Sequence, residues 1–268
     1  MWVLFLLAAW GAALASCVRL CQVVRAADDA PAPPADTARR LNLYETAFLS
    51  GGPHRVADLA LVSMSRGRRL LLAHTGWATV VDPRGRDDIE RSVVTAAGPS
   101  GQSPVPAIRT ALAAADTVRA LAERLAAAGL AVPPAVRTAV ATAVHQVRLA
   151  AAVVLVTAVV AALLLPEDAD RGAAAAWFAL PLALTTGVLA IARFEVGPAT
   201  GWASPAGQRR LRAVEDEHGA DTADTEAAGT APGDRALLTV LALRGPSALA
   251  DPALRAALGV GTRRHRVG

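Results

Sequence analysis

The stretch LAAAVVLVTAVVAALLL, Leu149 to Leu165, carries no ionisable side chain and is followed at once by Pro166 and Glu167. A helix rises about 1.5 Å per residue and needs roughly 17 to 25 apolar residues to cross bilayer hydrocarbon, so the segment reads as a membrane span. Arg148 can snorkel to the headgroups at one end, and Pro166 marks the opposite exit. Two more stretches, Met1 to Val18 and Ala173 to Ala192, are likewise free of charge. Three transmembrane helices are therefore expected, at 1–18, 149–165 and 173–192, the last two forming a hairpin around the loop 166–172.

Orientation follows from arginine in short flanks. Arg19, Arg25, Arg39 and Arg40 follow the first stretch, and Arg193, Arg209, Arg210 and Arg212 follow the third. The loop between the second and third holds Glu167, Asp168 and Asp170 against Arg171 alone. The expected protein is a multi-pass cell (plasma) membrane protein, amino terminus outside and carboxyl terminus cytoplasmic, with a cytoplasmic domain between the first two spans. Leu14-Ala15-Ser16-Cys17 also fits a lipoprotein signal, which would place that domain outside. The absence of any basic residue before the apolar run favours an anchor. Cys17 and Cys21, four apart on one helical face, are candidate lipidation sites, although two small apolar residues in a membrane helix is the simpler reading.

The chain has 27 basic residues, all arginine, against 23 acids, for a formal charge of +4. Residues 19–148 hold sixteen arginines and eleven acids, whereas residues 193–268 hold ten and nine. Only the first polar region is distinctly basic, which points to anionic lipid before nucleic acid.

Residues 19–40 form a juxtamembrane spacer, with Pro31, Pro33 and Pro34 too dense for a helix. Residues 41–148 form the cytoplasmic domain. Leu41 to Leu49 is predicted helical, Ser50-Gly51-Gly52-Pro53 breaks it, and Pro53 opens a second helix, His54 to Ser65, that stops at Gly67. Arg69 to His74 and Trp77 to Val81 are predicted strands joined near Thr75-Gly76. Helix, turn, helix and hairpin is the order of a winged helix. The predicted fold is thus a mainly α membrane protein with a small α+β winged-helix-like cytoplasmic domain. Asp87 to Pro106 reads as a short helix running into a loop. One long helix, Ala107 to Leu130, is expected next, with Arg119 paired to Glu123, and Ala135 to Arg148 is expected to run into the second span.

Residues 193–268 read as a cytoplasmic helical tail. Ser204-Pro205 starts a helix reaching about His218, and Gly219 to Gly233 reads as a low-complexity mobile linker. The tail also carries an internal echo. Gly52-Pro53-His54-Arg55-Val56-Ala57-Asp58-Leu59-Ala60-Leu61 aligns with Gly245-Pro246-Ser247-Ala248-Leu249-Ala250-Asp251-Pro252-Ala253-Leu254, with six identical positions. This is a partial duplication whose second copy is reduced.

Tyr44-Glu45, Phe48-Leu49, Gly51-Gly52-Pro53, Arg55-Val56-Ala57, Ala60-Leu61 and Arg66-Gly67-Arg68 are joined by Ser204-Pro205-Ala206-Gly207 and Asp251-Pro252-Ala253-Leu254. Over most of its length the chain thereby resembles an uncharacterised family of actinobacterial three-pass membrane proteins. These carry a Gly-Gly-Pro-x-Arg-Val-Ala cytoplasmic domain and often end in a glycine- and cysteine-rich tail. Here the chain ends instead in Arg263-Arg264-His265-Arg266. The resemblance implies architecture and supplies no catalytic residue.

The residues offer no recognisable catalytic constellation, so no enzyme and no cofactor is expected. His54, His74, His145, His218 and His265 sit in separate segments, Ser63 and Ser65 lack a nucleophile-elbow context, and no phosphate-binding glycine loop occurs. Glu45 suits a structural ion pair, and Glu167, Asp168 and Asp170 a solvated hairpin cap. The expected function is a membrane-anchored cytoplasmic interaction or scaffold protein. Its partners would be membrane lipids and a cytoplasmic protein, met through Arg66, Arg68 and Arg69. The alternative is a membrane-tethered DNA-binding regulator with His54 to Ser65 in a major groove; Arg55 is its one base-reading candidate and Asp58 would repel phosphate.

Overall fold

A computed structural model describes residues 40–164, 201–227 and 233–259, with Trp10, Gly11, Leu14, Ala15, Val18, Gln22, Ala183 and Gly187. Cys17, Cys21, the loop 166–172 and nearly all of the expected first and third spans lie outside the described residues. The chain divides into two compact units, Met1–Pro31 with Pro133–Gly197 and Ala32–Val132 with Pro198–Gly268.

The second unit is mostly helical with one small sheet. Its elements in order are α1 (Leu43–Arg66), β1 (Leu70–Leu72), β2 (Trp77–Val80), α2 (Asp88–Ala97), β3 (Gln102–Pro104), α3 (Val105–Ala113) and α4 (Asp116–Ala127). α5 (Pro134–Leu164) belongs to the first unit. The second resumes with α6 (Pro205–Ala227), α7 (Asp234–Arg244), a 3-10 turn (Pro246–Ala248) and α8 (Pro252–Ala257).

α1 begins at Asn42, whose backbone N–H donates to the Glu45 carboxylate at 2.9 Å. Glu45 thus caps its own helix. The helix kinks where the sequence breaks, with Gly52 at φ 71° and ψ −163° before Pro53. Proline disfavours the helical region for its predecessor, and glycine enters positive φ without a steric penalty. A Cβ at Gly52 would collide with the indole of Trp202, so the position is closed to side chains twice over.

The predicted hairpin is present, with Leu71 opposite Thr79. It is not a free wing. β3, arriving after α2, adds to β2 as a third antiparallel strand, with Thr79 opposite Gln102. The winged-helix order therefore holds only as far as β2. The expected long helix Ala107 to Leu130 is likewise two helices. Ala115 is extended (φ −66°, ψ 146°), Ile108 and Leu112 are buried from one segment and Val118, Leu121 and Leu125 from the next. Arg119 bonds Asp116 at 2.7 Å, one turn back along the helix, where Glu123 one turn ahead was expected. α6 also runs through Gly219 to Ala227, into the stretch read as linker.

The tail completes the core. Phe48 and Leu49 of α1 and Leu241 and Ala242 of α7 are all buried in one cluster with Val56, Leu59, Ile108 and Leu258. Phe48 meets Trp202 edge-on at 5.3 Å between ring centres. Val132 N–H donates to the Trp202 carbonyl at 2.9 Å and Ser204 N–H to that of Leu130 at 2.8 Å, so the end of α4 and the start of α6 pair like strands.

In the first unit, α5 is one uninterrupted helix of 31 residues, about 46 Å long against roughly 30 Å of hydrocarbon. Among the described residues it is the helix long and apolar enough to cross a membrane, over Pro134–Val156. Ala143, Val147, Ala150 and Val154 form a buried stripe, while Leu149, Val153, Leu155, Val156 and Val159 are exposed.

Candidate functional site

The three arginines read as one contact patch separate in space. Arg69 is buried and forms a two-pronged ion pair with Glu90 of α2, leaving the side chains 8% and 4% exposed. Glu90 also accepts the Arg86 N–H at 2.7 Å. Burial pushes the Glu90 pKa up, but these bonds outweigh it and hold the carboxyl below its usual range. Arg69 is thus an internal tie between the hairpin and α2, and it leaves the candidate contact set. Arg66 is exposed and lies 3.4 Å from Asp234 of α7. Arg68 is exposed, with φ 56°, the one left-handed non-glycine among the described residues.

The first copy of the repeated motif latches onto α7, the helix that leads into the second copy. Gly245 repeats the Gly52 conformation, at φ 90° and ψ −178°. Arg55 of the first copy donates to the carbonyls of Leu241, Ala242 and Leu243 at 3.3, 3.4 and 3.3 Å, closing the carboxyl end of α7. A cation there also meets the negative end of the helix dipole. The Ser50 hydroxyl donates to the Ala242 carbonyl. Asp58 is 2% exposed and ion-paired with Arg109 of α3, whose Nε lies 2.7 Å from Oδ1 and whose Nη2 donates to Oδ2 at 3.0 Å, and Arg109 reaches the Leu258 carbonyl at 3.4 Å. Burial pushes the Asp58 carboxyl up to about 6, against the pull of Arg109 and Arg55, and burial lowers the Arg55 pKa. In the second copy Asp251 instead caps α8, accepting the Ala253 N–H at 2.8 Å.

An open cleft of about 530 Å³ lies where α1, α2 and α4 begin, lined by Tyr44, Glu45, Asp87, Asp88, Asp116 and Arg124 among others. Burial, with the nearby charges of Asp87 and Glu90, holds the proton on the Tyr44 hydroxyl. Asp87 caps α2, accepting the Glu90 N–H at 2.7 Å, so its carboxylate already serves the fold. Among the described residues no group of three or more His, Cys, Asp or Glu is disposed to hold a metal.

The Pro53–Arg66 part of α1 is enclosed. Val56 to Val62 and Met64 are all buried, and Arg55 is engaged with α7, which leaves His54 and Arg66 as its exposed residues. Such a helix presents no face to a DNA groove. The sequence reading missed Trp77 and Leu71, which stand exposed on the outer face of the sheet. Comparison with protein-family models, curated proteins and solved structures finds no match.

Proposed function

We propose that the protein is a membrane-anchored cytoplasmic interaction or scaffold protein, three-pass like the actinobacterial family its sequence resembles. The carrying observation is that chain from both sides of the apolar region builds one core. Residues before Val132 and after Pro198 share the second unit, joined by the Arg55 latch and the pairing of Leu130 and Val132 with Ser204 and Trp202. Two segments of one core lie on one side of a membrane, so the chain between them crosses an even number of times. If α5 crosses once, a second crossing must return the chain before residue 198. The uncharged stretch Ala173 to Ala192 has the length to do so. The exposed leucines and valines of α5 support the crossing, since lipid is the solvent that tolerates them, and the flanking arginines favour the cytoplasm.

Topology reporters fused after Ala38 and after Gly268 test this reading. Both should report the cytoplasm. Reporters on opposite sides would refute the shared core, and both outside would refute the orientation. The enclosed helix Pro53–Arg66 weighs for a scaffold over the DNA-binding alternative.

A further inference from the structure

The two faces of the small sheet differ less in polarity than their surroundings demand. Alternation sends Leu70, Leu72, Ala78 and Val80 inward; Leu70 and Ala78 are fully buried, and the other two pack on the core. Leu71, Trp77, Thr79 and Val81 take the other face, joined through the register by Gln102 and Pro104. A solvated face of an antiparallel sheet is ordinarily polar. Here Leu71 is 62% exposed, Trp77 49% and Val81 55%.

Charge at one end of this face is net positive. The Arg69 carbonyl accepts the N–H groups of Val81 and Asp82 at 2.8 and 3.1 Å, which brings Arg68 beside the turn that carries Arg84. Both arginines are exposed. The one acid between Arg66 and Arg86 is Asp82, whose carboxylate accepts the Arg84 N–H at 3.0 Å, and Arg69 is already neutralised by Glu90. An indole beside aliphatic side chains, edged by guanidinium groups, matches the chemistry of an anionic headgroup layer.

We propose that the outer face of β1–β2–β3 docks on the anionic surface of the membrane that anchors the chain, with Trp77 and Leu71 at the headgroup boundary and Arg68 and Arg84 against phosphates. The inference rests on the membrane-anchored reading. Anchoring supplies the bilayer at high effective concentration, so a small patch suffices.

The test uses the full chain in proteoliposomes, with Cys17→Ser, Cys21→Ser and Leu71→Cys carrying an environment-sensitive fluorophore. In bilayers containing phosphatidylglycerol, its emission should shift to the blue and be quenched by brominated acyl chains. The same label on exposed Thr110→Cys should stay in water. Arg68→Gln and Arg84→Gln should each lower the docked-to-undocked ratio about fivefold, at about 1 kcal/mol per arginine near the surface. A label at 71 that stays in water in both anionic and neutral bilayers, while the chain resists alkaline carbonate, would overturn the docking and leave the anchoring intact. Shielding seen only in native membranes, with no dependence on lipid charge, would also overturn it and assign the face to a protein. Release of the chain by carbonate would refute the anchoring and the docking together.

Discussion

Asp58→Asn is the perturbation whose sign is least intuitive. Asp58 is ion-paired with Arg109 at 2.7 Å, yet burial dominates and its pKa in the folded protein stands at about 6 against 3.8 for a free side chain. The folded protein therefore binds this proton more tightly than the unfolded chain does. Its stabilising effect is complete below pH 3.8 and is lost as pH rises through about 6. At about 1.4 kcal/mol per unit, the roughly two-unit shift amounts to about 3 kcal/mol between about pH 4 and pH 7. Glu90, whose pKa is depressed, works in the opposite direction: its stabilising effect is fully present above its unfolded value and is lost as pH falls through its folded one. Subtracting the Asp58→Asn variant from the native chain cancels Glu90 and isolates Asp58. Urea unfolding of the full chain in mild detergent, followed by tryptophan emission at pH 4, 5, 6 and 7, gives the difference. Wild-type stability relative to the variant should fall by about 3 kcal/mol over the series. A flat difference, or one that rises with pH, would mean that Arg109 and Arg55 outweigh burial, and the account of the latch would be wrong.

Arg69→Ala should cost about 3 to 5 kcal/mol by stranding the Glu90 carboxylate, and Arg69→Met with Glu90→Leu should recover most of that loss; the same urea midpoints decide it. Arg55→Ala should cost about 1.5 to 3 kcal/mol, the range for hydrogen bonds from a charged donor, with hydrogen exchange rising first in α7. No change in α7 exchange would refute the latch. Gly52→Ala should destabilise by more than the usual glycine-to-alanine effect, because φ is positive and Trp202 occupies the space; a stabilised variant would contradict the kink.

Signals that are local and chemical were legible. Gly52-Pro53 announced its break, Gly67 its helix end, and Thr75-Gly76 the turn of the hairpin. The paired Gly-Pro motifs predicted a relation between the copies, and Gly245 adopts the same backbone region as Gly52. The second copy is reduced for a visible reason: Pro252 stands where Leu59 continues the helix, so the chain must cap and restart at Asp251. What was illegible depends on tertiary packing. β3 is three residues with no β-branched or aromatic member, and Pro104 is tolerated because the strand lies at an edge. The break at Ala114-Ala115 has no local cause, alanine being the best helix former. α6 continues through Gly219 because one glycine costs only about 1 kcal/mol in a helix. The separation of Arg68 from Arg69 did leave a trace: successive residues entering a strand face opposite ways, so the two could not share a surface.

The order of synthesis gives the shared core a further consequence. α7 emerges after the apolar region, and until it does, Phe48 and Leu49 lack Leu241 and Ala242, their neighbours in the buried cluster. The Ser50 to Ala242 contact closes a loop of 192 residues, which costs about 4.7 kcal/mol in chain entropy. Folding residues 133–197 into a membrane hairpin would shorten that loop, but the logarithm makes the saving only about 0.4 kcal/mol. Loop closure is therefore not what the apolar region contributes. On the proposed topology its contribution is positional, because an even number of crossings would return α7 to the compartment where α1 waits. A single crossing would leave the two copies separated by the bilayer, however favourable their packing. Under that topology membrane insertion and completion of the core would be one ordered process, and an insertion error in residues 133–197 would register as an unfolded domain rather than a misplaced one.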